Sequence, residues 1–242
     1  MMKGLSLAGR ISQYGALLLL VHLAVGCSDG TQPTQGPDSV KNGRPSASVA
    51  TAADSRLVVA FGDSLYAGYG LAQDEGFAPS LERALAGQGV KARVINAGVS
   101  GETTSGGRQR IAYVLDGLPR KPDLVIVGLG GNDMLRGLDP AETRVNLDAI
   151  LAELKQRGIA TMLTGIMASP NMGPDYAAAF NPIYPDLARK FSVPLYPFFL
   201  DGVVGRRDLL LPDGIHPNAK GVDAVVARVA PMVGRELKAK AG

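Results

Sequence analysis

The 242-residue sequence predicts an α/β domain built on a parallel sheet of five short strands, with helices on both faces. Three observations lead there. Five short apolar runs, each bounded by Gly, Pro or Asp, read as buried strands. The stretches between them carry apolar residues at helical spacing. The two patterns alternate along the chain, and alternation of strand and helix implies crossover connections and a parallel sheet.

Ahead of this domain stand two segments of different composition. Residues 1–26 pair a basic start, Lys3 and Arg10, with an apolar run over residues 15–26. The run is short for a bilayer span and ends in small residues, as in a removable export signal; the alternative reading is an uncleaved N-terminal anchor. The only cysteine, Cys27, follows Leu23-Ala24-Val25-Gly26 and excludes an intramolecular disulfide. Residues 27–55 are rich in Ser, Thr, Pro and Gly and lack apolar periodicity. Such a stretch cannot bury enough apolar surface to offset its ordering entropy, so it reads as a flexible tether. Residues 56–242 are long enough for one domain with a substantial core. Loss of Lys3 and Arg10 with the signal leaves 23 basic residues against 22 acidic ones. With no basic run interleaved with aromatics, nucleic acid is not an expected partner.

Within the domain, Leu57-Val-Val-Ala-Phe61 is the first strand and Arg93-Val-Ile-Asn96 the second. Ile111, Val114, Leu115 and Leu118 mark a helix face. Leu124-Val-Ile-Val127 is the third strand. Asp139-Pro140-Ala141-Glu142 opens the next helix with an acidic N-cap, a proline at the first helical position and a capping acid. Its buried face is expected at Val145, Leu147, Ile150, Leu151 and Leu154, and Gly158 stops it. Thr161-Met-Leu-Thr164 is the fourth strand. Phe180, Ile183, Tyr184 and Leu187 form a further face, with Pro182 making that helix start late or kink. Val193-Pro-Leu-Tyr196 is the fifth strand, and Val222, Val225, Val226, Val229 and Val233 mark a final helix whose end Pro231 is expected to disturb.

In such sheets, sites lie beyond the carboxyl ends of the strands. Residues 62–65, 98–104 and 128–133 each follow a predicted strand, which gathers them at one rim. Ser64, in Gly62-Asp63-Ser64-Leu65, is either a nucleophile on a tight turn or an ordinary turn residue. Gly101 can bring a backbone N–H close to a ligand or serve as a simple turn glycine, and Thr103 or Thr104 caps the next helix. Asn132, in Gly130-Gly131-Asn132-Asp133, can donate its amide to a developing oxyanion, worth roughly 2.7–4 kcal/mol in a known case, or cap a helix. Of the two histidines, His22 falls in the signal segment, which leaves His216, three residues after Asp213. That spacing lets one short loop supply a base and the carboxylate that orients it. One histidine and one cysteine exclude a histidine-rich or cysteine-rich metal site. No P-loop, dinucleotide fingerprint or Gly-x-Ser-x-Gly elbow is present. No cofactor is expected.

In this order, Gly62-Asp63-Ser64-Leu65, the Gly101 loop, Gly130-Gly131-Asn132-Asp133 and Asp213-Gly-Ile-His216-Pro-Asn218 resemble the four blocks of the SGNH hydrolases, also called the GDSL esterase/lipase family. The resemblance runs from residue 57 to about 235. Further runs, Asn96-Ala97, Leu135-Arg136-Gly137, Ile183-Tyr184-Pro185 and Val193-Pro194-Leu195, are similar to the bacterial multifunctional thioesterase/lysophospholipase/arylesterase subgroup. The resemblance implies a three-layer, flavodoxin-like fold with five parallel strands. It implies Ser64 as nucleophile, His216 as base, Asp213 as its orienter, and the Ser64 N–H, Gly101 N–H and Asn132 amide as an oxyanion hole. The segment before Cys27 resembles a lipobox, which implies a lipid on Cys27, export to a periplasm or cell surface, and a membrane partner through that anchor.

The expected function is hydrolysis of an aryl or acyl ester, a thioester or a lysophospholipid through an acyl-enzyme, by a monomer acting on a small acyl substrate. Two alternatives keep the same fold: a carbohydrate O-deacetylase, and a lipid-anchored binding protein without catalysis. Met134, Leu135, Met167, Met172 and Ile215 are candidates for substrate contact. For the methionines, an adaptable acyl site and plain core packing are equal readings.

Overall fold

A computed structural model describes residues 55–239. The signal, Cys27 and nearly all of the tether lie outside the described residues. Five strands form one sheet: β1 (Arg56–Gly62), β2 (Ala92–Gly98), β3 (Leu124–Gly128), β4 (Thr161–Thr164) and β5 (Leu195–Tyr196). All pairings are parallel, in the order β2-β1-β3-β4-β5. This is the flavodoxin-like order, with its switch point between β1 and β3. The central strands are apolar along their length because both faces are covered; residues 57–62 of β1 and all of β3 are buried. β5 is shorter than its sequence run. Pro194 has no N–H to donate, although its carbonyl still accepts from Leu163 N at 2.9 Å, so the ladder begins one residue later, on an edge.

Eight helices stand among the described residues: α1 (Ser64–Ala67), α2 (Phe77–Gly87), α3 (Thr104–Asp116), α4 (Gly131–Leu135), α5 (Pro140–Gln156), α6 (Pro174–Phe180), α7 (Ile183–Phe191) and α8 (Ala219–Ala239). α2 and α8 pack together in one layer; α3, α5 and α7 form the other. α5 begins as its sequence dictates, with the Asp139 side chain accepting from Ala141 N at 2.9 Å and Pro140 at the first position. Its buried stripe is Thr143, Leu147, Ile150, Leu151 and Leu154. Val145 is 57% exposed, contrary to expectation. Two residues from Leu147 is about 200° around a helix, so Val145 faces away from the stripe.

Three further differences have local causes. α2 goes beyond the elements read from the sequence; Phe77, Ala78, Leu81 and Leu85 form its buried face, but Gly76 gives it no side-chain cap. The segment around Pro182 divides into α6 and α7, because proline supplies no N–H to a continuous helix. α8 runs straight through Pro231. Pro231 and Ala227, whose carbonyl loses its helical partner, both face solvent, while Val225, Val229, Val233 and Leu237 stay buried on the other side. Packing of that stripe outweighs the roughly 3 kcal/mol that an interior proline costs.

At the carboxyl end of the sheet, Gly62 lies beside Gly98 on β2 and beside Gly128 on β3. A Cβ at Gly98 would stand 2.2 Å from Ala67 N, and one at Gly128 would stand 2.2 Å from the Tyr66 ring. The bare row therefore lets α1 lie directly on the strand ends. Tyr66 is buried there between Phe77 and Phe199. Its hydroxyl meets Thr164 Oγ1 at 2.7 Å, and Thr164 in turn donates to Val127 O.

Gly98→Ala, whose added methyl meets backbone, is expected to lose about 1–3 kcal/mol of stability in urea denaturation. Val145→Ala is expected to stay within about 0.5 kcal/mol of the parent.

Candidate active site

Ser64 opens α1 immediately beyond β1, and the Asp63 side chain caps that turn by accepting from Leu65 N at 3.0 Å. The glycine row fixes the height of this turn, so the Ser64 hydroxyl stands at the rim. It meets His216 Nε2 at 2.9 Å, and His216 Nδ1 meets Asp213 Oδ2 at 2.6 Å. Three side chains from the two ends of the domain thus form one hydrogen-bonded series.

The loop carrying Asp213 and His216 is built to hold that series. Asp213 Oδ1 accepts from Ile215 N at 2.9 Å and from His216 N at 3.0 Å. These backbone bonds, with the imidazole itself, hold the Asp213 carboxyl down to about 2. An ionised Asp213 accepts the Nδ1 proton, which leaves the Nε2 lone pair facing Ser64. The loop closes on itself through Leu211 N to His216 O at 2.7 Å. Asn218 donates to Asp208 O and Leu210 O and accepts from Gly221 N, which fastens the loop to the start of α8.

Asp63 is the opposite case. It is 3% exposed, and burial pushes its carboxyl up to about 6 against the lowering effect of the Leu65 N–H. Asp133, also buried, accepts from Thr104 N at 2.8 Å and from the Thr104 and Thr143 hydroxyls. It ties α4 to α3 and α5. Asn132 is the residue before it, and its amide donates to Glu102 O at 3.0 Å. One of the two amide N–H groups is thereby anchored and the other is left for a further acceptor. Gly101, next to Glu102, takes φ +79, a conformation other residues rarely adopt, and its carbonyl accepts from Arg136 at 2.7 Å.

Of the candidate substrate contacts, Leu135, Met167 and Ile215 are about half exposed, at 54%, 51% and 46%. Met172 is partly buried and packs against the core. Met134 is 8% exposed and belongs to the hydrophobic core, which is the packing alternative. Among the described residues, no group of three or more His, Cys, Asp and Glu side chains is placed to hold a metal ion.

Four participants were not legible from the motifs. The Tyr69 ring lies against the His216 ring, centroids 4.4 Å apart and planes tilted by 34°, and is half exposed. It follows Ser64 by five residues, and its N–H bonds Ser64 O, so only the path of the chain after α1 reveals it. Arg110 pairs with Glu102 beneath the Gly101 loop. Asn218 lies inside the fourth block without an evident chemical role. Asp63 sits beside Ser64 in the turn, and burial with a single backbone donor distinguishes it from Asp213.

Comparison with known proteins places the chain in a family. Residues 60–224 match the GDSL-like Lipase/Acylhydrolase family. The chain is 39% identical over 180 residues to Esterase TesA of Pseudomonas aeruginosa, covering 74% of this chain and 88% of that protein. It is 36% identical to Thioesterase 1/protease 1/lysophospholipase L1 of Escherichia coli, covering 77% and 88%. The crystal structure of AlinE4, an SGNH-hydrolase family esterase, superposes with a TM-score of 0.65 at 52% identity, covering 75% of this chain and 96% of that one. The chain belongs to the GDSL-like lipase/acylhydrolase family, in the subgroup that holds these esterases and thioesterases.

Proposed function

We propose that this protein hydrolyses carboxylic esters through Ser64 as nucleophile, His216 as general base and Asp213 as the group that orients and stabilises the imidazole. Family membership and the named relatives make the chain an ester-hydrolysing enzyme. The observation that supports this residue assignment is the unbroken series from Asp213 through His216 to Ser64, at 2.6 and 2.9 Å.

In this reading, His216 Nε2 takes the Ser64 proton as Oγ attacks the ester carbonyl. Asp213 stabilises the imidazolium that forms. The oxyanion is met by the N–H groups of Ser64 and Gly101 and by the free N–H of the Asn132 amide. The carbonyl reforms, the leaving alcohol or thiol departs with the proton from His216, and water then repeats the sequence on the acyl-enzyme. The two aspartates divide the labour. Asp213 stays charged because it is hydrogen-bonded at the surface; Asp63 caps the nucleophile turn from a site that disfavours its charge.

The exposed apolar side chains of the rim support an acyl or aryl ester as substrate. Exposed Leu135, Met167 and Ile215 offer apolar contact for an acyl or aryl group. The relatives' names include esterase, thioesterase and lysophospholipase, so activity is expected on p-nitrophenyl esters, acyl thioesters and lysophospholipids. A profile of chain length across those three series tests the preference. Export and a lipid on Cys27 belong to the same proposal and rest on the run before that cysteine. Among the described residues no helix is long and apolar enough to cross a membrane. Metabolic labelling with palmitate, expected in the parent and lost in Cys27→Ser, tests the anchor.

Ser64→Ala is expected to lower kcat on p-nitrophenyl acetate by a factor of about 10³ or more and to abolish fluorophosphonate labelling. Activity near that of the parent would contradict the assignment.

The Asp63 carboxyl has a higher pKa folded than its ordinary 3.8. Between about 4 and about 6 the folded state therefore binds more protons, and its contribution to stability falls as pH rises through that window. Asn at this position keeps an acceptor for the Leu65 N–H without the charge. Asp63→Asn is expected to gain stability relative to the parent from pH 4 to 6 and to hold that gain at pH 7, as read by urea denaturation at each pH.

A further inference from the structure

We propose that Arg110 is a positioning residue whose guanidinium sets the spacing between the nucleophile turn and the oxyanion donors. Arg110 projects from the middle of α3 beneath the rim. Its Nε donates to Glu102 Oε1 at 2.6 Å, and its Nη2 donates to Glu102 Oε2. The same Nη2 donates to Ala97 O at 2.8 Å and to Gly62 O at 3.3 Å. The guanidinium carbon stands 4.1 Å over the Phe61 ring. The two side chains are 19% and 8% exposed.

The bonded carbonyls are the informative part. Gly62 is the last residue of β1, directly before Asp63 and Ser64. Ala97 is the next-to-last residue of β2, in register with Phe61 and just before Gly98, the partner of Gly62. Glu102 follows Gly101, and its own carbonyl anchors the Asn132 amide. One cation thus holds the strand end that leads into the nucleophile and the loop residue that joins both oxyanion donors. The planar guanidinium meets the Glu102 carboxylate through Nε and Nη2 side by side, while the two hydrogens of Nη2 are shared among that carboxylate and the Ala97 and Gly62 carbonyls; a point-like ammonium lacks the paired fork. α3 makes room for the pair: a Cβ at Gly106 would stand 3.1 Å from Glu102 Cγ.

A buried ion pair of this kind need not add stability, since apolar replacements of similar volume are often neutral or better. Apolar replacements would not hold the Gly62 and Ala97 carbonyls. Stability and turnover should therefore separate. This inference rests on the oxyanion roles proposed for Gly101 and Asn132.

The test compares full-length Arg110→Met, the double variant Arg110→Met with Glu102→Met, and Asn132→Ala. Each is titrated for active sites with a fluorophosphonate, then assayed on p-nitrophenyl acetate and melted. Arg110→Met is expected to lower kcat per titrated site about tenfold or more, with KM within about twofold. The double variant is expected to recover Tm but not kcat. Arg110→Lys, which keeps charge without the fork, is expected to show the same kcat loss and carries the test if Arg110→Met does not fold. If kcat per site in the double variant returns with Tm while Asn132→Ala remains slow, the positioning role is overturned and the oxyanion reading stands. If Asn132→Ala turns over like the parent, the oxyanion reading itself fails.

Discussion

The close seating of α1 on three bare strand ends is the constraint on which the site depends. A side chain at the ends of these strands would meet the helix that follows β1: a Cβ at Gly98 or Gly128 would collide with Ala67 or Tyr66. Glycine at 62, 98 and 128 removes that obstacle at one level across β2, β1 and β3. Tyr66 then fills the space as a buried anchor, held by aromatic packing and by Thr164 on β4. Ser64 gains a fixed position because its helix cannot slide, and the other groups meet it there.

Around that fixed point the protein sorts its carboxylates by environment. Asp213 is partly exposed, accepts two backbone N–H groups and stays charged. Asp63 is buried with one backbone donor, and its charge is disfavoured. Asp133 is buried but saturated by threonine donors, and works as a joint between helices. Glu102 is matched by Arg110. Carboxyl groups close in space thus have distinct jobs, set by how many donors each is given and how much water reaches it.

Much of this was legible in the sequence because it is local. The Asp139-Pro140 cap, the strand runs and the Asp213-to-His216 spacing depend on neighbours a few residues apart, and each recurs in the structure, with only the fifth strand shortened. The order of the blocks also carried the meeting of Ser64 and His216 across the domain. What stayed hidden was non-local or set by packing. α2 lacks a side-chain cap, Val145 is apolar enough to be expected inside, and Pro231 is expected to disturb the end of its helix. Arg110, one of many arginines, is singled out only when the fold places Glu102, Ala97 and Gly62 around it.

Asn218 joins the base loop to the longest helix of the domain. The consequence concerns timing. Ser64, Gly101 and Asn132 lie in the first half of the folded domain, whereas the base enters just before α8, and α8 docks against α2 near the domain's start. During synthesis or refolding, the nucleophile and the oxyanion donors can be in place while the imidazole is still adrift. Any displacement of the start of α8 would carry the base loop with it through Asn218, away from Ser64. Catalysis therefore depends on the seating of α8 as well as on the sheet end that carries Ser64.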